Sequence, residues 1–316
     1  MKESSFNKES LENTLKEYFG FTTFRKHQLE IIKNCLDGED QFVCMATGSG
    51  KSICFQIPSI HTKKKTLIIS PLIALMNDQI QKLISNGIPA ATINSETNQT
   101  EMKKILSLDS NWLLLYVTPE RIYKDEGFIN HLKEIHNVTP FCCFAVDEAH
   151  CISQWGLDFR VSYSKISILR DSIPQVPIMA LTATATENAK KDIIQNLKLN
   201  NPKIVLSSFN RPNLFYTIKK KKEYQHVLKI LSKKCSSTII YCRLIDDTKK
   251  MANFLSENGI KSVTYHSKMT IEERKKSHQQ FMKDEVQTLC ASKNFLSFFL
   301  KFNILSFLSN RLWNGN

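Results

Sequence analysis

Apolar positions recur at helical spacing from the start of the chain. Leu11, Leu15, Tyr18 and Phe19 share one face, and Gly20 is placed to end the helix. A second segment, Arg25 to Leu36, puts Leu29, Ile32, Cys35 and Leu36 on one side and closes at Asp37-Gly38. Then the period changes. Gln41 to Met45 reads as a short buried strand, and Ile53, Cys54 and Ile57 return to the spacing of a helix face. Beyond it, strands are expected at Thr66–Ile69, Ala90–Ile93, Leu113–Val117, Phe141–Val146, Ile178–Thr182 and Lys203–Leu206. Helices separate them. One opens at Ser70-Pro71, read as N-cap and N1 proline, and runs through Leu72, Leu75, Ile80, Leu83 and Ile84 to Gly87. Others are expected near Thr100–Leu106, near Phe128–Ile135 and over Glu187–Leu197. Apolar strands without period-two polarity, alternating with helices, predict an α/β fold. Its parallel sheet is covered on both faces, and such sheets bind ligands at the carboxyl ends of their strands.

The segment Asn210 to Glu223, with Lys219 to Lys222 inside it, reads as a linker whose lysines are either a solvated face or phosphate contacts. A second α/β unit follows. It has strands at Thr238–Tyr241, Lys261–Tyr265 and Val286–Ala291, and a helix at Asp247–Asn258 stopped by Gly259. Thr270-Ile271-Glu272-Glu273 forms a capping box for another helix reaching Lys283. The expected division is therefore 1–213, a linker at 214–224, a partial second unit at 225–294 and a tail at 295–316. In that tail Phe295 to Leu308 is rich in Phe and Leu, with Lys301 as its one charge. It is shorter than the about 20 apolar residues needed to cross a bilayer. A buried or interfacial helix is one reading, and a foreign reading frame or retained intron is the other.

Composition narrows the function classes. With 316 residues, 42% hydrophobic and 23% charged, the chain is long enough for two globular domains and does not read as disordered. A formal charge of +13 suggests a polyanionic partner, nucleic acid before an anionic membrane, with solubility as the plain alternative. The nine cysteines include no C-x-x-C pair, so zinc is not indicated. Most sit in apolar runs, which suggests reduced thiols in an intracellular compartment. Met1 to Ser10 is polar and lacks the apolar core of a signal peptide.

The chemistry concentrates in Thr47-Gly48-Ser49-Gly50-Lys51-Ser52, a glycine-rich turn between strand and helix. Gly48 and Gly50 let backbone N–H groups face a phosphate chain, Lys51 can reach its outer phosphates, and the Ser52 hydroxyl can ligate magnesium. The generic pattern asks for glycine at position 45, where this chain has Met45. A second cluster, Asp147-Glu148-Ala149-His150, delivers two carboxylates at the end of an apolar strand. Asp147 suits a magnesium ion, Glu148 an attacking water, and His150 a sensor of the nucleotide.

Together with Thr182-Ala183-Thr184-Ala185, these motifs resemble a superfamily-two helicase, and Cys151-Ile152-Ser153-Gln154-Trp155-Gly156 narrows the resemblance to the RecQ family of DNA helicases. Further matches are Phe19-Gly20-Phe21 with Phe24-Arg25 and Gln28, Ser70-Pro71-Leu72 with Asp78-Gln79, Thr118-Pro119-Glu120-Arg121, and Phe209-Asn210-Arg211-Pro212-Asn213. The resemblance covers about residues 11 to 291. It implies RecA-like lobes, ATP with Mg2+, DNA unwinding in the 3′ to 5′ direction, and a nuclear location in a eukaryote. It implies that Phe21 and Arg25 sandwich adenine while Gln28 bonds its edge. Trp155, Phe159 and Arg160 lie in a stretch, Ser153 to Tyr163, that resembles the family's aromatic-rich loop, which couples single-stranded DNA to ATP hydrolysis. By the same resemblance Thr182 and Thr184 are expected to join that coupling, and Thr118 matches a position near the DNA backbone. Single-stranded and junction-containing DNA are the expected partners, and no membrane is expected.

Departures are visible. Lys26-His27 replaces a common Pro-Gly, Leu157 replaces histidine, and Val161 stands where proline is frequent. After Ala291 the family's glycine-rich segment and its paired arginines are not found, so slow ATP hydrolysis without unwinding is expected. A non-catalytic module retaining lobe one and a DEAH-type RNA helicase remain the alternatives.

Overall fold

The computed structural model describes residues 7–153, 160–208, 224–231, 237–292 and 307–309. The chain divides into two compact units, Met1–Asn210 and Arg211–Asn316. The linker expected at 214–224 falls on residues 209–223, outside the described ones, apart from Tyr224.

The first unit starts with α1 (Lys8–Phe19), capped by the Asn7 side chain, which accepts the Glu9 N–H at 3.1 Å, and ended by Gly20 at φ +74. Then α2 (Gln28–Leu36) begins three residues later than periodicity suggests, because Arg25 closes a turn whose carbonyl accepts the Gln28 N–H. Its leading residue, His27, stands at φ +68, in the left-handed region that favours glycine.

The strands are β1 (Gln41–Cys44), β2 (Lys65–Ile69), β3 (Ala90–Ile93), β4 (Leu114–Val117), β5 (Phe141–Val146), β6 (Ile178–Thr182) and β7 (Lys203–Leu206). They form one parallel sheet in the order β3-β4-β2-β5-β6-β1-β7, as the unbroken apolar runs predict. Side chains alternate between two cores. Leu115 and Val117 of β4, with Phe144 and Val146 of β5, face one core; Leu114 and Tyr116, with Cys143 and Ala145, face the other. The second core is closed by α2, by α3 (Lys51–Thr62) and by α4 (Ile73–Ser85). Opposite it lie α5 (Gln99–Ile105), α6 (Pro119–Lys124), α7 (Glu126–Val138), α8 (Ile168–Ser172) and α9 (Glu187–Asn196). Leu11 and Leu15 strap α1 across Ile32, Ile53 and Ile57.

The Ser70 cap is not realised. Helix α4 starts after Leu72, which is extended at φ −121 and makes no side-chain cap, so Pro71 lies outside the helix. The short α6 and α8 carry too few turns for periodicity to mark them. At the sheet edge, β7 leaves Ile204 43% and Leu206 52% exposed.

In the second unit α10 (Tyr224–Leu231) precedes β8 (Thr238–Cys242), α11 (Ile245–Glu257), β9 (Ser262–Tyr265), α12 (Ile271–Met282) and β10 (Thr288–Ser292). The Thr270–Glu273 capping box is formed, with reciprocal bonds of 3.2 and 2.8 Å. Within Phe295–Leu308, residues 295–306 lie outside the described ones, but Phe307–Ser309 is a strand, β11, parallel to β8. The helix expectation therefore fails at its last two residues. The sheet order is β11-β8-β10-β9. No described helix is long and apolar enough to cross a membrane.

One buried carboxylate went unmarked by any motif. Asp40, 5% exposed, accepts the Arg170 guanidinium at 2.6 Å on each oxygen, the Ile178 N–H at 2.7 Å and the Asn200 N–H at 2.6 Å. Its own carbonyl accepts the Lys203 N–H at 2.8 Å. Asp40→Ala strands a largely buried guanidinium and two amides, so we expect the first unit to lose about 3–5 kcal/mol in denaturant unfolding.

Candidate active site

A parallel sheet places every strand's carboxyl end on one rim, and the candidate residues follow β1, β5 and β6, which are neighbours there in the order β5-β6-β1. The phosphate-type loop leaves β1 and enters α3 at Lys51. Gly48 and Gly50 take φ +81 and φ +85, the left-handed turns that expose backbone N–H groups toward a ligand. Lys51 is 8% exposed and donates from Nζ to the Met45 carbonyl at 2.9 Å. Thr47 and Ser52 are half-buried. The Ser49 Oγ is buried with no hydrogen-bond partner, an uncompensated polar atom that a phosphate oxygen would satisfy.

The loop is gripped from outside by the residues resembling an adenine site. Arg25 Nη1 donates to the Gly48 carbonyl at 2.7 Å, and Gln28 Nε2 donates to the Gly50 carbonyl at 2.9 Å. Gln28 Oε1 accepts the Arg25 N–H at 2.8 Å, which fixes the amide's orientation. Phe21 is 52% exposed. The backbone angle at Gly50 favours glycine, and a Cβ there would lie 2.4 Å from Gln28 Nε2 and push that side chain off the Gly50 carbonyl.

Across the rim, Asp147 is buried and its Oδ1 accepts the Glu148 N–H at 3.0 Å. Glu148 stands at φ +52, a left-handed kink that turns the chain out of β5. Its Oε2 lies 3.3 Å from His150 Nδ1, which is also 3.1 Å from Thr182 Oγ1. Thr182 gives its hydroxyl proton to the Thr184 carbonyl at 2.9 Å, which makes His150 Nδ1 the donor in that contact. Thr182 Oγ1 also accepts the Thr184 N–H at 3.2 Å. Glu148 and Thr182 thus meet at one atom, His150 Nδ1, which donates to Thr182 and lies within ion-pair distance of Glu148, and Thr182 bonds on to Thr184. No sequence spacing reveals that link.

Trp155 and Phe159 lie outside the described residues, but both ends of their segment are held. Ser153 Oγ donates to Asp192 Oδ2 at 2.6 Å, and the Arg160 N–H donates to the Cys151 carbonyl at 2.9 Å. Arg160 Nη1 reaches the Pro71 carbonyl at 3.3 Å. Tyr163 donates to the Asp147 carbonyl at 2.9 Å, and burial pushes its phenol well above the ordinary range, so it stays a donor. Thr118, 9% exposed, precedes α6 without capping it by its side chain. Sequence reasoning misses Asp192, which carries no motif of its own, and the bond by which Tyr163, the end of the aromatic-rich stretch, holds the Asp147 carbonyl.

Residues 25–192 match the DEAD/DEAH box helicase family and residues 220–295 match the helicase conserved C-terminal domain. This chain belongs to the DEAD/DEAH box helicase family, in its RecQ branch. It is 41% identical over 286 residues to an ATP-dependent DNA helicase RecQ of Haemophilus influenzae, an alignment covering 89% of this chain and 45% of that protein. It is 40% identical to the RecQ-like DNA helicase BLM of Xenopus laevis, covering 87% of this chain and 21% of that one. The chain thus spans less than half the length of these curated relatives. Among solved structures, the DUF1998 helicase MrfA bound to DNA and AMPPNP superposes with a TM-score of 0.71 at 17% identity, covering 94% of this chain and 45% of that chain. The Mycobacterium smegmatis helicase Lhr bound to ssDNA and AMP-PNP gives 0.70 at 14%, covering 94% and 43%. At such identities the likeness is one of fold.

Within a RecQ-branch chain the donor set fits a magnesium nucleotide: one carboxylate and one hydroxyl are enough where phosphates and waters complete the shell. Gly50→Ala is expected to displace Gln28 and force a left-handed alanine, lowering the thermal midpoint of the first unit by an amount equivalent to about 1–3 kcal/mol. Differential scanning calorimetry against the parent chain measures it.

Proposed function

We propose that this chain is the motor portion of a RecQ-type DNA helicase, in which ATP hydrolysis drives 3′ to 5′ movement on single-stranded DNA. The observation that carries the reading is the meeting at His150 Nδ1, 3.3 Å from Glu148 Oε2 and 3.1 Å from Thr182 Oγ1, which brings the acidic rim beside the phosphate loop together with the end of β6. A change at the nucleotide has a physical route there to the neighbouring strand.

The roles follow from position and chemistry. Gly48, Ser49 and Gly50 cradle phosphates with backbone N–H groups, and Lys51 leaves the Met45 carbonyl to meet the outer phosphate. Ser52 and Asp147 would hold Mg2+, which would supply charge neutralisation to the phosphate chain. Glu148 orients the attacking water, and His150 passes the state of that carboxylate to Thr182 and Thr184. Phe21 and Arg25 stack on adenine while Gln28 reads its edge. Trp155 and Phe159 offer aromatic faces to unpaired bases, with Arg160 and Thr118 toward the backbone, a sequence-tolerant grip worth about 1–3 kcal/mol per stacked base. The formal charge of +13 favours a polyanion throughout. Residues 1–213 would be a complete RecA-like lobe and 225–294 part of a second. Single-stranded and junction-containing DNA are the proposed partners, within the nucleus if the source is eukaryotic.

Binding of a fluorescent ATP analogue to residues 1–316 is expected, with Lys51→Ala abolishing it while leaving single-stranded DNA binding in place. Nucleotide binding that survives Lys51→Ala would overturn the assignment of the loop. Competition should favour single-stranded DNA over RNA of the same sequence; the reverse preference supports an RNA helicase instead. Because the second unit presents no arginine finger by resemblance, residues 1–316 alone are expected to turn over ATP about 10³–10⁵-fold more slowly than an assembled two-lobe site. Rapid DNA-stimulated turnover sensitive to Lys51→Ala, read by phosphate release, would refute that expectation.

A further inference from the structure

Between α3 and α4 a polar link crosses the apolar core. Gln56 of α3, 5% exposed, donates from Nε2 to the Tyr116 hydroxyl at 3.2 Å. Tyr116, on β4 and 1% exposed, donates in turn to Gln79 Oε1 of α4 at 2.9 Å. Its hydroxyl thus accepts from one helix and donates to the other. Burial pushes the phenol well above its ordinary range, with the nearby Asp147 charge adding to the rise, so the donor role is fixed. Hydrophobes of similar size would fill this layer without the cost of desolvating three polar groups. Buried polar networks specify one arrangement when all members are satisfied.

What the link joins gives it meaning. Helix α3 begins at Lys51, so Gln56 rides on the rigid body that carries the phosphate loop. Helix α4 follows Ser70-Pro71-Leu72, whose Pro71 carbonyl accepts from Arg160. Tyr116 itself lies two residues before Thr118 on the same strand end. One hydroxyl therefore connects the nucleotide side of the rim with the segments proposed to touch DNA.

We propose that Tyr116 is a positioning residue which, through Gln56 and Gln79, locks α3 against α4 and makes nucleotide occupancy alter the grip on a single strand. The inference rests on the reading of the first unit as a nucleotide- and DNA-binding lobe. It is separable from the route through His150, because it runs between the sheet and its covering helices rather than along the rim.

The test uses the whole chain and a fluorescein-labelled oligothymidylate. Its Kd is measured with and without a saturating non-hydrolysable ATP analogue, and the ratio of the two is the coupling factor, which by linkage is the same for either ligand. Tyr116→Phe keeps the ring and removes the hydroxyl. The expected result is a factor that falls at least threefold toward one, with each Kd measured alone within about twofold of the parent. Gln79→Met cuts the same link from the half-buried end and should reproduce the fall, with the double variant no worse than either. An unchanged factor overturns the inference, including the case in which both affinities drop together, as a merely structural role would produce. A parent chain that binds both ligands with a factor of one also overturns it. A parent that binds neither ligand instead overturns the functional reading on which it rests.

Discussion

The rim of this protein is organised from its opposite edge. Asp40 gathers the amino ends of β1, β6 and β7: its carboxylate accepts from Arg170, Ile178 and Asn200, and its carbonyl accepts from Lys203. From that anchor the three strands run in parallel with Gln41 beside Met179 and Lys203, and Cys44 beside Thr182. The distance from anchor to rim is only four or five residues, so the staple sets where the phosphate loop leaves β1 and where Thr182 leaves β6. A charge pair so buried is seldom a source of net stability over a hydrophobic equivalent. Its contribution is register, and register is what a site assembled from three strand ends requires.

Around that frame the two sides of the rim are tied by different chemistry. The loop between β1 and α3 is held by side chains donating to its carbonyls, from Arg25 and Gln28, and by the Ser49 N–H turned back to the Ala46 carbonyl at 3.2 Å. The acidic side is held at His150 Nδ1, which bonds Thr182 and lies 3.3 Å from the Glu148 carboxylate. The first arrangement fixes the shape of the loop, while the second ties the end of β5 to the end of β6 through a single nitrogen.

Much of this is legible in the sequence, for identifiable reasons. Parallel strands buried on both faces announce themselves as unbroken apolar runs, and the expected Phe141–Val146 and Ile178–Thr182 coincide with β5 and β6 to the residue. The loop at Gly48–Ser52 and the Thr270 capping box depend on local residue order, which is what a sequence displays. Ser70-Pro71 misleads because a serine before a proline is a sound cap signal, yet the chain stays extended through Leu72 to carry the Pro71 carbonyl to Arg160. Asp40 with Arg170, and Tyr116 with Gln56 and Gln79, are invisible because their partners are 130, 60 and 37 residues away in sequence. The β11 strand is hidden by the Phe/Leu richness of its segment, since an apolar run this uniform has no period to distinguish helix from strand.

The outer strand β7 has a consequence of another kind. It is a sheet edge whose Ile204 and Leu206 remain about half exposed, with no charge between them and Val205 turned inward. Backbone groups along such an edge can pair with any extended chain that meets them, a second molecule included. A fragment cut just after β7 would carry that edge uncovered at its own terminus, where fraying adds to accessibility. Association through that edge, rather than folding of the sheet, would set the usable concentration of such a fragment.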